Sequence, residues 1–431
     1  MDAWQLPIMS GAVPLTVYAL AVAFAVVVIV RRWRRRPLLW AIVGALIGAA
    51  IGATAFFVST WTNAFGDALP DFVLPWAVGA LAASGFALGG MVGARIWRRI
   101  VSAVAVLVFL VAAVIGVNAA FGLNPTLGSL FGLVDEPAVR LPPDPSGAAP
   151  APGQPLYETW QPPAGMPTVG TRGSVGIPGT TSGFDARAAG IYLPPAALVK
   201  DAPALPLVIM MMGHPGNPDP TTISDVLDEF AAKNNGLAPI AIVADQLGAD
   251  VNDTACADST AYGNAKTYVT VDVVAWAKKN LNIIDDPAYW TIAGYSNGGG
   301  CAIAFGAEDP GTWKNILDVS GEPFPGSEQV ENITQTIYDG STARFEASKP
   351  VNIMKAAPPG AYEGMTAVFT AGALDPDYSA SADMLAAEAK AVGMTVTRYE
   401  VPGQGHTGDI VELSLTEGFT VLYPVLGLSA G

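Results

Sequence analysis

Gly294-Tyr295-Ser296-Asn297-Gly298 is the stretch on which the reading of this chain turns. The apolar run Trp290-Thr291-Ile292-Ala293 precedes it, and the small residues Gly299, Gly300, Cys301 and Ala302 follow. A G-x-S-x-G placed between a strand and a helix sets its serine on a sharp, strained turn, and the flanking glycines leave room for the backbone to close. With 47 glycines in the chain the pentapeptide alone could arise by chance. The strand before it and the helix after it make Ser296 a candidate nucleophile.

Outward from this turn, short β-rich runs alternate with helical stretches. Candidate strands lie at 189–193, 205–212, 239–244, 290–293, 315–319, 365–370 and 395–401, and candidate helices at 223–233, 268–280, 301–307 and 379–392. This alternation predicts a mostly parallel sheet with helices on both faces. With the serine turn in the middle, it is the α/β-hydrolase pattern.

A serine hydroxyl needs an adjacent base, oriented by a carboxylate, and this fold supplies them in the chain order serine, acid, histidine. The chain holds two histidines. His406, in Pro402-Gly403-Gln404-Gly405-His406, follows the last strand and is the candidate base; His214 precedes the serine and is not. The acid is expected on the loop Gly372-Ala373-Leu374-Asp375-Pro376-Asp377. Asp375 is preferred as nearest the strand end, with Asp377 and Glu322 as alternatives, and either aspartate could instead cap the helix that follows.

The oxyanion of an acyl-transfer intermediate needs backbone donors, one just after the nucleophile and one from an early strand-end loop. Asn297 supplies the first. The early loop reads Met212-Gly213-His214-Pro215-Gly216-Asn217, and because Pro215 has no N–H, His214 is the expected second donor through its backbone. There is no cluster with metal-ligand spacing and no phosphate-binding glycine loop, so neither a metal nor another cofactor is expected.

The N-terminal part is of a different kind. Over the 431 residues 51% are hydrophobic and 14% charged, with mean hydropathy +0.39, which points to membrane spans. Apolar stretches at 13–30, 38–58, 74–94 and 101–121 predict a four-helix transmembrane bundle, and glycines in the second and third (Gly44, Gly48, Gly52; Gly79, Gly85, Gly89, Gly90) favour close packing in lipid. Arg31, Arg32, Arg34, Arg35 and Arg36 fall between the first two stretches, and Arg95, Arg98 and Arg99 between the last two. Loops that retain arginine are cytoplasmic, so everything after Phe121 is expected outside. The segment Ser59 to Val73 has no Lys or Arg but has Asp67 and Asp71, as an outer loop should.

The expected organisation is a transmembrane domain at 1–122, a Pro/Gly-rich extracytoplasmic linker at 123–182 and a catalytic α/β-hydrolase domain at 183–431, with Trp160 and 170–177 as a possible first strand of that domain. Eight of the 22 basic and three of the 37 acidic residues lie in 1–119, leaving 14 basic and 34 acidic residues in 120–431, a formal charge of −20. Such a surface repels phosphate backbones and argues against nucleic-acid binding. Cys256 and Cys301 are an even pair in the part placed outside, which favours a disulfide.

The strand at Leu205 with Gly213-His214-Pro215-Gly216, the turn Gly294 to Gly299, the loop Gly372 to Asp375 and Gly405-His406 together resemble the esterase D family, which includes actinobacterial mycolyltransferases of the antigen 85 group. The resemblance covers roughly half the chain. It implies a Ser296, Asp375, His406 triad working through an acyl-enzyme. Asn297 stands where the mycolyltransferases carry Met, and Asp375 where they carry Glu; the four spans look closer to actinobacterial membrane esterases, some associated with removing aminoacyl groups from phosphatidylglycerol. The expected function is a membrane-anchored esterase acting on a lipid or cell-envelope ester. Its rivals are an envelope acyltransferase and a non-catalytic binding protein, and the second would be marked by loss of a triad member.

Overall fold

A computed structural model describes residues 4, 6–9, 11–30, 35–62, 69, 71–121, 126–130, 137–141, 154–249, 252–406 and 409–431. Arg31, Arg32, Arg34, Asp67 and the Pro-rich stretch 142–153 lie outside the described residues. The chain divides into two compact units, Met1–Asp135 and Glu136–Gly431.

The first unit contains α1 (Ala12–Ile29), α2 (Arg35–Trp61), α3 (Val73–Gly89) and α4 (Ile96–Phe121). Among the described residues three helical segments, Ala12–Ile29, Arg35–Trp61 and Ile96–Ala119, are long and apolar enough to cross a membrane, against the four spans expected. α3 has 17 residues, which at 1.5 Å per residue is about 25 Å, short of the ~30 Å hydrocarbon core. It ends at Gly89, short of the expected residue 94, with Gly90 as its cap and Gly93 beyond at φ +69°. The glycines in α2 do bring backbones together: a Cβ on Gly44 or Gly48 would fall on the carbonyls of Gly85 or Leu81 in α3, whereas Gly79 faces open space.

The second unit is built on an eight-stranded sheet: β1 (Thr171–Val175), β2 (Ala189–Leu193), β3 (Leu207–Met211), β4 (Ile240–Ala244), β5 (Trp290–Tyr295), β6 (Asn315–Val319), β7 (Thr366–Gly372) and β8 (Thr395–Val401). The spatial order is β1-β2-β4-β3-β5-β6-β7-β8. β2 runs antiparallel to both β1 and β4, and all other pairings are parallel. Every residue of β2 to β7 is buried. Successive strand residues point to opposite faces, so both faces are covered, and the continuous Leu-Val-Ile-Met-Met of β3 is how such a doubly covered strand reads.

Five helical elements matter to the site: α5 (Thr221–Lys233), α6 (265–280, with a π turn at Tyr268–Val273), α7 (Asn297–Glu308), α8 (Pro376–Ala391) and α9 (Asp409–Val425). β1 lies inside the stretch expected as linker, and the structured unit already includes Leu156, 3% exposed, and Trp160, whose indole N–H donates to Asn235 O at 2.9 Å. Between β6 and β7 the short helices Val330–Thr336 and Thr342–Ser348 form a satellite core of Ile333, Ile337, Tyr338 and Phe345 with Ala255.

Candidate active site

Ser296 occupies the turn from β5 into α7 with φ 55° and ψ −117°, a left-handed conformation that costs a non-glycine residue about 1–3 kcal/mol. The two motif glycines permit it. A Cβ on Gly294 would fall on the carbonyl of Gly298, and one on Gly298 would fall on Met211 O at the end of β3. The turn is then locked by the backbone: Ser296 N–H donates to Val319 O at 2.9 Å, and its carbonyl accepts from Gly300 at 3.1 Å and Glu322 at 3.2 Å.

His406 follows β8 on a loop bound to the end of β7. Ala373 N–H donates to Val401 O at 3.0 Å and Leu374 N–H to Gln404 O at 2.8 Å, while Gly372 lies so close to Gln404 O that a Cβ would not fit. Asp375 caps α8, its Oδ1 accepting from Tyr378 N–H at 3.4 Å. Its other oxygen, Oδ2, lies 3.0 Å from His406 Nδ1, and His406 Nε2 lies 2.8 Å from Ser296 Oγ. The three residues read from chain order are thus brought together in one line of polar contacts, and the capping and acid readings of Asp375 hold at once, one per oxygen.

The alternative acids are elsewhere. Asp377 is exposed in the first turn of α8. Glu322 is buried and accepts the backbone N–H groups of Gly326 at 2.8 Å and Ser327 at 3.3 Å, which fixes the chain leaving β6.

The early loop also reaches the serine. A Cβ on Gly213 would lie 3.3 Å from Ser296 Cβ, so the segment carrying His214 runs beside the nucleophile. Asn297 is the first residue of α7, where helix N–H groups point outward and the dipole favours negative charge. Its side-chain oxygen accepts from Gln246 Nε2 at 3.3 Å, and the same Nε2 donates to Met212 O at 2.6 Å. Cys256 and Cys301 are joined by a disulfide with Cα atoms 5.6 Å apart, linking the segment after β4 to α7.

Sequence reasoning missed the aromatic surroundings of the imidazole. Tyr378 stacks on His406 at 3.8 Å between ring centroids and 24° between planes, and Tyr295 stacks at 5.2 Å and 22°. Burial, with the nearby charges of Glu328 and Glu322, pushes the Tyr378 hydroxyl above the ordinary tyrosine range, so it stays protonated and donates to Glu328 Oε1 at 2.6 Å. Tyr295 is the second residue of the G-x-S-x-G motif. Tyr378 carried only the signal of standing three positions after a helix cap.

This fold and this arrangement define a serine hydrolase of α/β-hydrolase type. Residues 185–395 match the family described as "Putative esterase", in keeping with the esterase D resemblance. An uncharacterized protein of Corynebacterium glutamicum is 32% identical over 247 residues, which are 56% of this chain and 58% of that protein. The chain therefore matches little more than half the length of this curated relative. Among solved structures, a ferulic acid esterase superposes with TM-score 0.50 at 15% identity, covering 60% of this chain and 99% of that one. A fluorophosphonate-binding serine hydrolase of Staphylococcus aureus gives TM-score 0.48 at 15% identity over 59% and 98% of the two chains.

Proposed function

We propose that this protein hydrolyses a carboxylic ester of the membrane or cell envelope through an acyl-enzyme on Ser296, with the hydrolase unit on the outer side of the membrane. The observation that carries the catalytic part is the continuous line Ser296 Oγ, His406 Nε2, His406 Nδ1, Asp375 Oδ2, with separations of 2.8 and 3.0 Å at its two contacts. His406 takes the serine proton as Oγ attacks the ester carbonyl, and Asp375 holds the imidazole with its other nitrogen protonated. The N–H groups of His214 and Asn297 receive the oxyanion. The imidazolium returns its proton to the departing alcohol. Water, deprotonated by His406, then attacks the acyl-enzyme, releasing the acid and restoring Ser296.

The membrane part of the proposal is supported by the apolar N-terminal helices and by the arginines at their ends, Arg35 and Arg36 beside α2 and Arg95, Arg98 and Arg99 beside α4. Several apolar helices exceed what anchoring alone needs, since a single span already inserts almost irreversibly. A lipid ester accounts for them better than a diffusible one. A formal charge of −20 on residues 120–431 would attract a cationic headgroup such as that of an aminoacylated phosphatidylglycerol, within a screening length of ~8 Å.

The test is to replace Ser296 by Ala in the native host and quantify envelope lipids. Accumulation of an aminoacyl or acyl ester lipid is expected; an unchanged lipid profile with rapid turnover of soluble esters by the wild type would exclude a lipid substrate. A periplasmic-type reporter fused after Gly122 should be active. Activity of a cytoplasmic reporter there would reverse the orientation.

A further inference from the structure

The loop that carries His214 is tied at both ends to two consecutive residues that follow β4. At its near end, Met212 O accepts from Gln246 Nε2 at 2.6 Å. At its far end the tie runs through Arg187, two residues before β2. The Arg187 Nη1 donates to Gly216 O at 3.0 Å and to Asn217 Oδ1 at 2.8 Å. The other two guanidinium nitrogens fork onto Asp245, Nε to Oδ2 at 3.1 Å and Nη2 to Oδ1 at 2.7 Å, and the Arg187 backbone N–H adds a third bond to the carboxylate, also at Oδ2, at 2.7 Å.

Asp245 is itself immobilised. It is 1% exposed and accepts the backbone N–H groups of Leu247 at 3.1 Å and Gly248 at 3.2 Å. A carboxylate held this way, paired to a planar fork, transmits the position of β4 to whatever the third guanidinium nitrogen grips. What it grips is the segment packed beside Ser296.

We propose that Arg187 is a positioning residue for the oxyanion-binding loop: through Asp245 it fixes Gly216 and Asn217, and so sets where the His214 N–H stands relative to Ser296. This rests on the reading of His214 as a backbone oxyanion donor. A lysine keeps the charge, but its donors all sit on one nitrogen, so it cannot reproduce the planar fork that spans both oxygens of Asp245 and the loop together. Loss of the brace leaves the triad intact and loosens only the group that meets negative charge in the transition state. Such a loss lowers kcat and leaves KM nearly unchanged.

The test uses the full chain in detergent, with the rate of Ser296 labelling by a fluorophosphonate probe and steady-state hydrolysis of a p-nitrophenyl ester. Arg187→Ala should lower the labelling rate and kcat by roughly 100-fold, the scale of losing an oxyanion donor or of a 1 Å misplacement, with KM within about 2-fold. Arg187→Lys should fall between, at roughly 10-fold. Added methylguanidinium should restore part of the Arg187→Ala rate while leaving the wild type unchanged, a response that a general folding defect does not give. Arg172→Ala, which removes an exposed ion pair with Asp225, should match the wild type. If Arg187→Ala does not fold, Arg187→Lys decides. A lysine variant at the wild-type rate, or one raised in KM with kcat unchanged, overturns the proposal. Failure of the wild type itself to label at Ser296 would instead bring down the triad reading, and this proposal with it.

Discussion

The ring of Tyr378 lies 3.8 Å from the imidazole of His406, nearly parallel to it, and the Tyr378 hydroxyl is held at 2.6 Å by Glu328. The same residue's backbone N–H is capped by Asp375, the carboxylate that faces His406 Nδ1. One residue therefore packs against the plane of the imidazole and holds the carboxylate that faces it. Tyr378→Phe keeps the stack and should retain labelling and kcat within about 3-fold, whereas Tyr378→Ala frees the ring and should cost roughly 10-fold or more, because small misplacements of a catalytic group are expensive. Equal rates for the two variants would show that the stack does not position the base.

Ser296→Ala and His406→Ala should each abolish fluorophosphonate labelling. Asp375→Asn should lower kcat by about 10⁴-fold, since an amide stabilises the wrong imidazole tautomer. Asp377→Asn and His214→Ala should stay within a few fold, the first because Asp377 is exposed, the second because the proposed mechanism uses only the backbone of His214. Labelling retained by Ser296→Ala would mean a different nucleophile.

How far these residues could be read from sequence depended on whether their constraints were local. The turn at Ser296 is dictated within five residues by glycines that admit no Cβ, and Asp375 and His406 stand on the loops that follow two strands expected from sequence, Thr366–Gly372 and Thr395–Val401. β2, β6 and β8 fall at their expected bounds. Tyr378 against His406, and Arg187 against Gly216, are contacts between segments about 30 residues apart whose side chains have no periodic signature of their own. The helix Asp409–Val425 went unrecognised although Val411, Leu415, Phe419 and Leu422 recur at helical spacing; Gly418 and Pro424 interrupt the pattern, and Gly418 is needed because a Cβ there would strike Leu317. Hydropathy extends α3 past its end at Gly89 because it does not register the glycines there.

The Cys256–Cys301 bond closes a loop of 45 residues, worth about 4 kcal/mol in the chain-entropy account. Mass spectrometry of unreduced peptides should recover the pair as one species, and reductant should lower Tm by roughly 10 °C. Two thiols alkylated without reductant would refute the pairing. Because the bond holds the segment after β4 to α7, the double substitution Cys256→Ser with Cys301→Ser should also slow labelling of Ser296.

Asp318, on β6 behind the nucleophile turn, offers a test of the core itself. It is fully buried, and burial pushes its carboxyl up to about 7, an effect only partly offset by the Gly321 backbone and the charge of Arg398. In the unfolded chain the group would titrate near the usual ~3.9. Between about pH 4 and 7 the folded protein therefore holds a proton that the unfolded chain has released. The stability this group contributes is fully present below that window and is lost as pH rises through it. Asp318→Asn cannot ionise, so its Tm should gain on that of the wild type as pH is raised from 4 to 8, by roughly 5 °C or more. Every other titrating group is common to both proteins and cancels in the comparison. A Tm difference that stays constant across that range would mean that Asp318 ionises as it does in water, and that the space beneath Gly299 and Gly321 is wetter than its close packing implies.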